Sequence, residues 1–198
     1  MLPFHIDFNE AGLDEAGRGC LAGPVVASAV ILPEGFSHPL LNDSKQMSKK
    51  NREELRGIIE REAVAWSVEF VSPKEIDELN ILRASITAMQ RATLKLKVKP
   101  SHLLVDGNRF YEMEGYDHTC MIKGDARFLN IAAASVLAKT HRDEFMLNLH
   151  EKFPHYKWDR SMGYPTKAHR AAISEYGACE HHRMTFALLP KQLQIEAL

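Results

Sequence analysis

Residues 24–32, PVVASAVIL, form a nearly unbroken apolar run. Such a run, lacking polar alternation, reads as a strand buried within a sheet. A Gly-rich turn, Gly17-Arg18-Gly19, separates it from an earlier strand over residues 10–15. Ser48 reads as the N-cap of a charged, amphipathic helix over residues 49–63. A third strand follows over residues 64–71, then a short helical turn from Pro73 to Leu79. A longer helix over residues 80–97 carries Ile81, Ile86, Met89 and Leu94 near helical spacing, and Pro100 stops it. SHLLVDGN, residues 101–108, gives a short buried strand ending in the turn Asp106-Gly107-Asn108. A fifth strand over residues 116–123 ends at Gly124-Asp125, and an alanine-rich helix spans about 126–150. Pro165 opens another helix through Tyr176, with Gly177 as its stop. Early strands with interleaved helices predict an α/β chain, a mixed sheet with helices packed on it.

At 198 residues the chain is expected to be one domain, its part from about residue 155 onward helical. With 45% hydrophobic residues it can bury a core without covalent staples. The three cysteines, Cys20, Cys120 and Cys179, are far apart and include no CxxC, which argues against a disulfide framework or a zinc site. The first residues have neither a positive start nor a long apolar run, and no stretch is apolar enough to span a membrane. A cytoplasmic protein is expected. The net charge of -1 gives no global field for nucleic acid, so such a reading must rest on local basic clusters.

Asp14, Glu15, Asp106 and Asp125 share a context: each stands at the end of a predicted strand. Strand ends on one sheet edge converge, so distant segments can deliver four carboxylates to one spot. Hard cations such as Mg²⁺ or Mn²⁺ favour that oxygen-rich surrounding, and a pair of them can clamp both sides of a phosphodiester. Neighbouring strand residues point to opposite faces, so Asp14 and Glu15 share a site only if the strand ends or distorts there. Gly17 and Gly19 make a distortion inexpensive. Each acid also has a structural reading: Asp125 as a helix N-cap, Asp106-Gly107 as a turn, Asp14-Glu15 as a solvated strand end.

Arg18 in its glycine frame and Lys45 in a loop are candidates for phosphate. Lys123 and Arg127 flank Asp125, and Lys139 and Arg142 lie three apart on one helical face. The basic run over residues 49–56 reads as a solvated helix face. Tyr164, in GYPT, either packs over the helix start or stacks on a sugar or base. His181-His182-Arg183 reads as a structural or phosphate-contacting turn. No Walker motif, GxSxG, HExxH or zinc-spaced Cys/His set is present.

GLDEAGRGCLAGPVVASAVIL, LNDSKQMS, EIDELNIL, LLVDGN, KGDARFLNIAAASVLAKTHRD, GYPTKAH and HHRMTF stand in that order over residues 11–188. The series resembles the successive motifs of bacterial ribonuclease HII. That resemblance implies an RNase H-like fold: a mixed five-stranded sheet flanked by helices, with a helical C-terminal extension. It implies a two-metal site for Mn²⁺ or Mg²⁺ on Asp14, Glu15, Asp106 and Asp125, a substrate-binding motif on Gly17, Arg18 and Gly19, and a substrate-sensing tyrosine on Tyr164. Lys45, Lys139 and Arg142 are carried as further substrate-binding candidates. The implied reaction is hydrolysis of RNA paired to DNA, including incision 5′ to a single ribonucleotide embedded in duplex DNA, leaving 3′-hydroxyl and 5′-phosphate ends. The expected partner is nucleic acid, met by a monomer with no membrane contact.

Cys20 stands where the family commonly has proline, and Arg160-Ser161-Met162 stands where it often has a histidine-lysine pair. A phosphate contact is then lost, or supplied by Arg160 or Lys167. The tail KQLQIEAL reads either as an amphipathic terminal helix or as a segment that docks on a replication clamp. Two rival readings share the fold: a nuclease acting on DNA, and a hybrid-binding module without chemistry.

Overall fold

The computed structural model describes residues 1–7, 9–41 and 47–189. Lys45 and the tail beyond residue 189 lie outside the described residues. Five strands, β1 (Glu10–Ala16), β2 (Val25–Ile31), β3 (Ala65–Val71), β4 (His102–Asp106) and β5 (His118–Met121), form one sheet in the order β3-β2-β1-β4-β5. β1, β2 and β3 pair antiparallel, whereas β4 joins β1 in parallel and β5 joins β4 in parallel. The sheet is mixed and five-stranded, as expected. β5 is only half as long as its predicted span, and nothing in its local sequence marks those ends.

Helices cover both faces. α1 (Lys49–Glu62) and α4 (Leu129–Lys152) lie on one, α2 (Pro73–Leu79) and α3 (Ile81–Lys95) on the other. Parity along the strands divides the two cores. Ala11, Leu13, Val25, Ala27, Ala29 and Ile31 meet Ala84, Ala88, Met89 and Ala92 of α3. Val30 and Leu32 meet Ala132, Ala133, Val136 and Leu137 of α4. Burying a side chain such as Leu13 contributes about 1.5–3 kcal/mol.

Gly12 lets the start of α4 lie directly against β1. A Cβ added at Gly12 would fall 2.1 Å from the carbonyl carbon of Asn130. The Asn130 side chain bridges the two central strands, donating to the Glu10 carbonyl at 2.9 Å and accepting the Leu32 N–H at 3.1 Å.

Helix starts follow their local signals. Ser48, Ser72 and Asn80 accept backbone N–H groups at the starts of α1, α2 and α3. α4 begins at Leu129, a few residues after its expected start near residue 126; Asp125 sits in a 3₁₀ turn, Gly124–Ala126, so of its two readings the N-cap is the one that falls. Pro165 does not open the last helix either; Thr166 caps α6 (Lys167–Tyr176). A 3₁₀ turn, Pro154–Tyr156, and the short α5 (Trp158–Ser161) lie between α4 and α6. Tyr156, Trp158, Ala172 and Ile173 pack on Leu21, Ala22, Met146 and Leu149. The helical C-terminal part is thereby attached to the segment after the glycine-arginine-glycine turn. No described helix is long and apolar enough to cross a membrane.

Candidate active site

The β1–β4 ladder ends at Leu13↔Val105, while the β1–β2 ladder runs on to Ala16↔Val26. β1 thus outruns β4, so Asp14 and Glu15 lie where one neighbour has stopped. The sequence required the strand to end or distort between them; instead β1 continues in register with β2, and only the β4 side opens. Asp14 and Glu15 both line one cleft of about 490 Å³, with Asp106 beside them.

Asp14 is buried, and its Oδ1 accepts the Glu15 N–H at 2.7 Å. Burial first, then the charges of Glu15 and Asp106, push its carboxyl well above the usual carboxylate range. A hydrogen bond from Ser135 of α4 pulls weakly the other way. Three acids crowding one cleft at such electrostatic cost form a surrounding that a divalent cation relieves, which is the donor chemistry Mg²⁺ and Mn²⁺ favour. Asp106 Oδ1 accepts the Gly124 N–H at 2.7 Å and so holds the turn bearing Asp125. Asp125 itself is buried, in the turn directly behind Gly124. Among the described residues no three acidic, histidine or cysteine side chains form a preassembled cation cage.

The turn Gly17-Arg18-Gly19 and Tyr164 line the same cleft. Gly17 has φ +95°, and a Cβ there would sit 2.0 Å from Arg142 Nε. At Gly19 the nearest atom to an added Cβ is Tyr164 Cε1 at 3.9 Å, so packing does not demand glycine there. Arg18 is half-exposed and pairs with Glu15 at 3.2 Å. Tyr164 is half-exposed at the rim, with the Arg142 guanidinium 6.0 Å from its ring centre. Lys139 lines the cleft while pairing with Asp143 at 2.7 Å.

Arg142 corrects the sequence reading. Expected to contact substrate, it is fully buried, and its guanidinium donates to the carbonyls of Pro24, Met162 and Ala22 at 3.0, 2.9 and 3.1 Å. Arg52 corrects it in the other direction: within a run read as a solvated face, it lines the cleft. Ser135 was passed over, its only signal being a hydroxyl inside an apolar helix. Arg160 and Lys167 are exposed and do not line the cleft. Cys20 is buried, with its thiol 3.6 Å from the Met162 carbonyl. A larger hollow of about 840 Å³ beside β5 is rimmed by Glu112, Glu114 and Asp117, charges that repel phosphate.

Residues 11–189 match the ribonuclease HII family. A ribonuclease HII from Bacteroides thetaiotaomicron is 60% identical over 190 residues, covering 96% of this chain and 95% of that protein. Among solved structures, RNase HII of Archaeoglobus fulgidus in complex with PCNA superposes with a TM-score of 0.76 at 29% identity, covering 93% of this chain and 98% of that one. Ribonuclease H2 of Pyrococcus horikoshii gives 0.77 at 26% identity, covering 90% and 94%.

Proposed function

The chain belongs to the ribonuclease HII family, and from that premise we propose that it is a metal-dependent endonuclease that cuts RNA paired to DNA and incises 5′ to single ribonucleotides in duplex DNA. The observation that carries this reading is one cleft that brings together, among the described residues, three carboxylates, a glycine-framed turn and an exposed tyrosine. Asp14, Glu15, Asp106 and Asp125 would hold Mg²⁺ or Mn²⁺. Such ions supply Lewis acidity at the scissile phosphate.

The chain's own residues do the rest. Lys139, Arg52 and Arg18 line the cleft and attract the phosphates of the strand. The backbone of Gly17-Arg18-Gly19 meets the ribose, because the space above Gly19 admits a sugar where a side chain would stand. A 2′-hydroxyl is both donor and acceptor, and its recognition separates RNA from DNA at one nucleotide. Tyr164 stacks on the next sugar and tests it for a deoxyribose. Glu15 pairs with the Arg18 guanidinium in the absence of substrate.

The Archaeoglobus relative assembles with PCNA. The corresponding proposal here is clamp docking through residues 191–198, tested by deleting them and measuring clamp affinity. A monomer working in the cytoplasm completes the reading.

The deciding experiment uses a labelled DNA duplex with one ribonucleotide, incubated with Mg²⁺, Mn²⁺ or chelator beside an all-DNA control. Metal-dependent incision 5′ to the ribonucleotide, with the control intact, is expected. Cleavage of the control would make the protein a DNA nuclease, and folded protein that binds but never cuts would make it a binding module.

A further inference from the structure

We propose that Arg183 is the positioning residue of the ribose-reading turn, and that Asp77 on α2 anchors it from the opposite side. The inference rests on the reading of Gly17-Arg18-Gly19 given above. Arg183 is fully buried, and among the described residues no carboxylate lies within ion-pair distance of it. Its guanidinium is spent on backbone instead. Nη2 donates to the Gly17 carbonyl at 2.7 Å, Nη1 to the Arg18 carbonyl at 2.9 Å and Nε to the Gly23 carbonyl at 3.1 Å. Its own N–H donates to the Leu21 carbonyl at 2.9 Å. One residue from the far end of the chain thus holds four carbonyls of a single turn.

The peptide plane makes this a device for aiming donors. In a planar trans peptide the N–H points opposite to the C=O. With the Gly17 and Arg18 carbonyls drawn inward to Arg183, the N–H groups of Arg18 and Gly19 face away from it, on the cleft side of the turn. Neither N–H donates to any acceptor among the described residues. Two parallel donors beside the acids are what a sugar hydroxyl or a phosphate oxygen would meet. A planar fork is needed to hold adjacent carbonyls in one orientation, and the single ammonium of lysine lacks that shape.

Asp77 fixes where the fork stands. Its carboxylate accepts the N–H of Met184 at 2.8 Å, and the N–H and hydroxyl of Thr185 at 3.0 and 2.6 Å. These residues directly follow Arg183. Asp77 is partly exposed and is not part of the cleft lining, and its hydrogen bonds go to the two residues after Arg183, so its effect on the reaction passes through Arg183. The motifs EIDELN and HHRMTF, far apart in sequence, meet in this latch.

The test measures single-turnover cleavage of the one-ribonucleotide duplex, affinity for that duplex in chelator, and thermal midpoint, for Asp77→Ala, Thr185→Val and Arg183→Lys. Asp77 and Thr185 sit at the surface, so their variants keep the chain folded even if Arg183→Lys does not. Expected is a fall in rate of up to about 10²-fold, the scale of a misplacement near 1 Å, with affinity changed less than about twofold. Rates equal to the parent's in the two surface variants overturn the proposal. So does a loss of rate and affinity in equal proportion. The parent itself reports on the underlying function: if it cuts all-DNA duplex, the ribose reading fails whatever the variants do.

Discussion

A negative charge on Asp14 is opposed by burial and by two neighbouring carboxylates. Its folded pKa lies above the unfolded value of 3.8, so the folded protein binds the extra proton across that interval. The sign follows: without metal, stability falls as pH rises from 3.8 through the raised value, and the full penalty persists above it. Asp14→Asn should therefore raise the thermal midpoint in chelator by about 2–4 °C for each kcal/mol relieved. The same variant should lose more cleavage than the roughly 10–100-fold that removing a ligand's supporting partner costs. A lower midpoint in chelator would show that the charge is not a strain. Gly19→Ala should fold like the parent, because its Cβ meets nothing nearer than 3.9 Å, yet cleave the one-ribonucleotide duplex more slowly. Parental cleavage would remove the ribose from that space. Arg142→Ala should unfold far more easily, since three carbonyls each lose a donor at about 1–3 kcal/mol. The spacing of Lys139 and Arg142 told that they share a helical face. It carried no information on depth, and depth separates a cleft cation from a structural one.

Element by element, what could be read in the sequence was what is local. Ser48 announces its helix because a cap is a contact within a few residues. Strand order was not legible, since the pairing of β1 with β4 joins segments some ninety residues apart, and neither carries a mark of the other. The way Asp14 and Glu15 share a cleft was hidden for the same reason: it depends on where β4 stops. The C-terminal helices hold another nonlocal feature. Trp158 Nε1 donates to His169 Nε2 at 2.9 Å, and His182 Nε2 lies 3.2 Å from that same nitrogen. His182 Nδ1 accepts the Cys179 N–H at 3.0 Å, which leaves its proton on Nε2, facing His169. The Tyr164 carbonyl lies 3.0 Å from His169 Nδ1, so the histidine pair supports the tyrosine turn. Burial, then the neighbouring His169, lower the His182 pKa from 6.5 to about 4. Between those values the unfolded chain binds the extra proton. Stability is full above pH 6.5, is lost as pH falls toward 4, and levels off below. Urea midpoints across that range should show this slope, and His182→Asn should flatten it. An unchanged slope would assign the acid sensitivity to other groups.

For the whole molecule, the sequence-wide charge of -1 says little about nucleic-acid binding, because the charges are sorted by place. Acids gather in the cleft and in the hollow beside β5, while Arg18, Arg52 and Lys139 join the acids in the cleft. A ligand for the acids should stabilise the fold by mass action, about 2.7 kcal/mol at a hundredfold excess over its dissociation constant. Mg²⁺ or Mn²⁺ should thus raise the parent's midpoint, chelator should reverse the gain, and Asp14→Asn should show little of it. The same sorting fixes how binding responds to salt. Each phosphate neutralised contributes about -0.9 to the slope of log affinity against log salt on duplex DNA. The three cations that line the cleft among the described residues predict a slope near -3, shallow beside that of proteins that grip a duplex with many cations. Lys139→Ala should make it shallower by about one unit, and Arg142→Ala, if enough remains folded to measure, should leave it alone. A parental slope of about -6 or steeper would mean that the duplex is held by basic surface outside the cleft. Recognition would then be spread over the molecule, and the ribose-reading turn would act on a substrate already bound elsewhere.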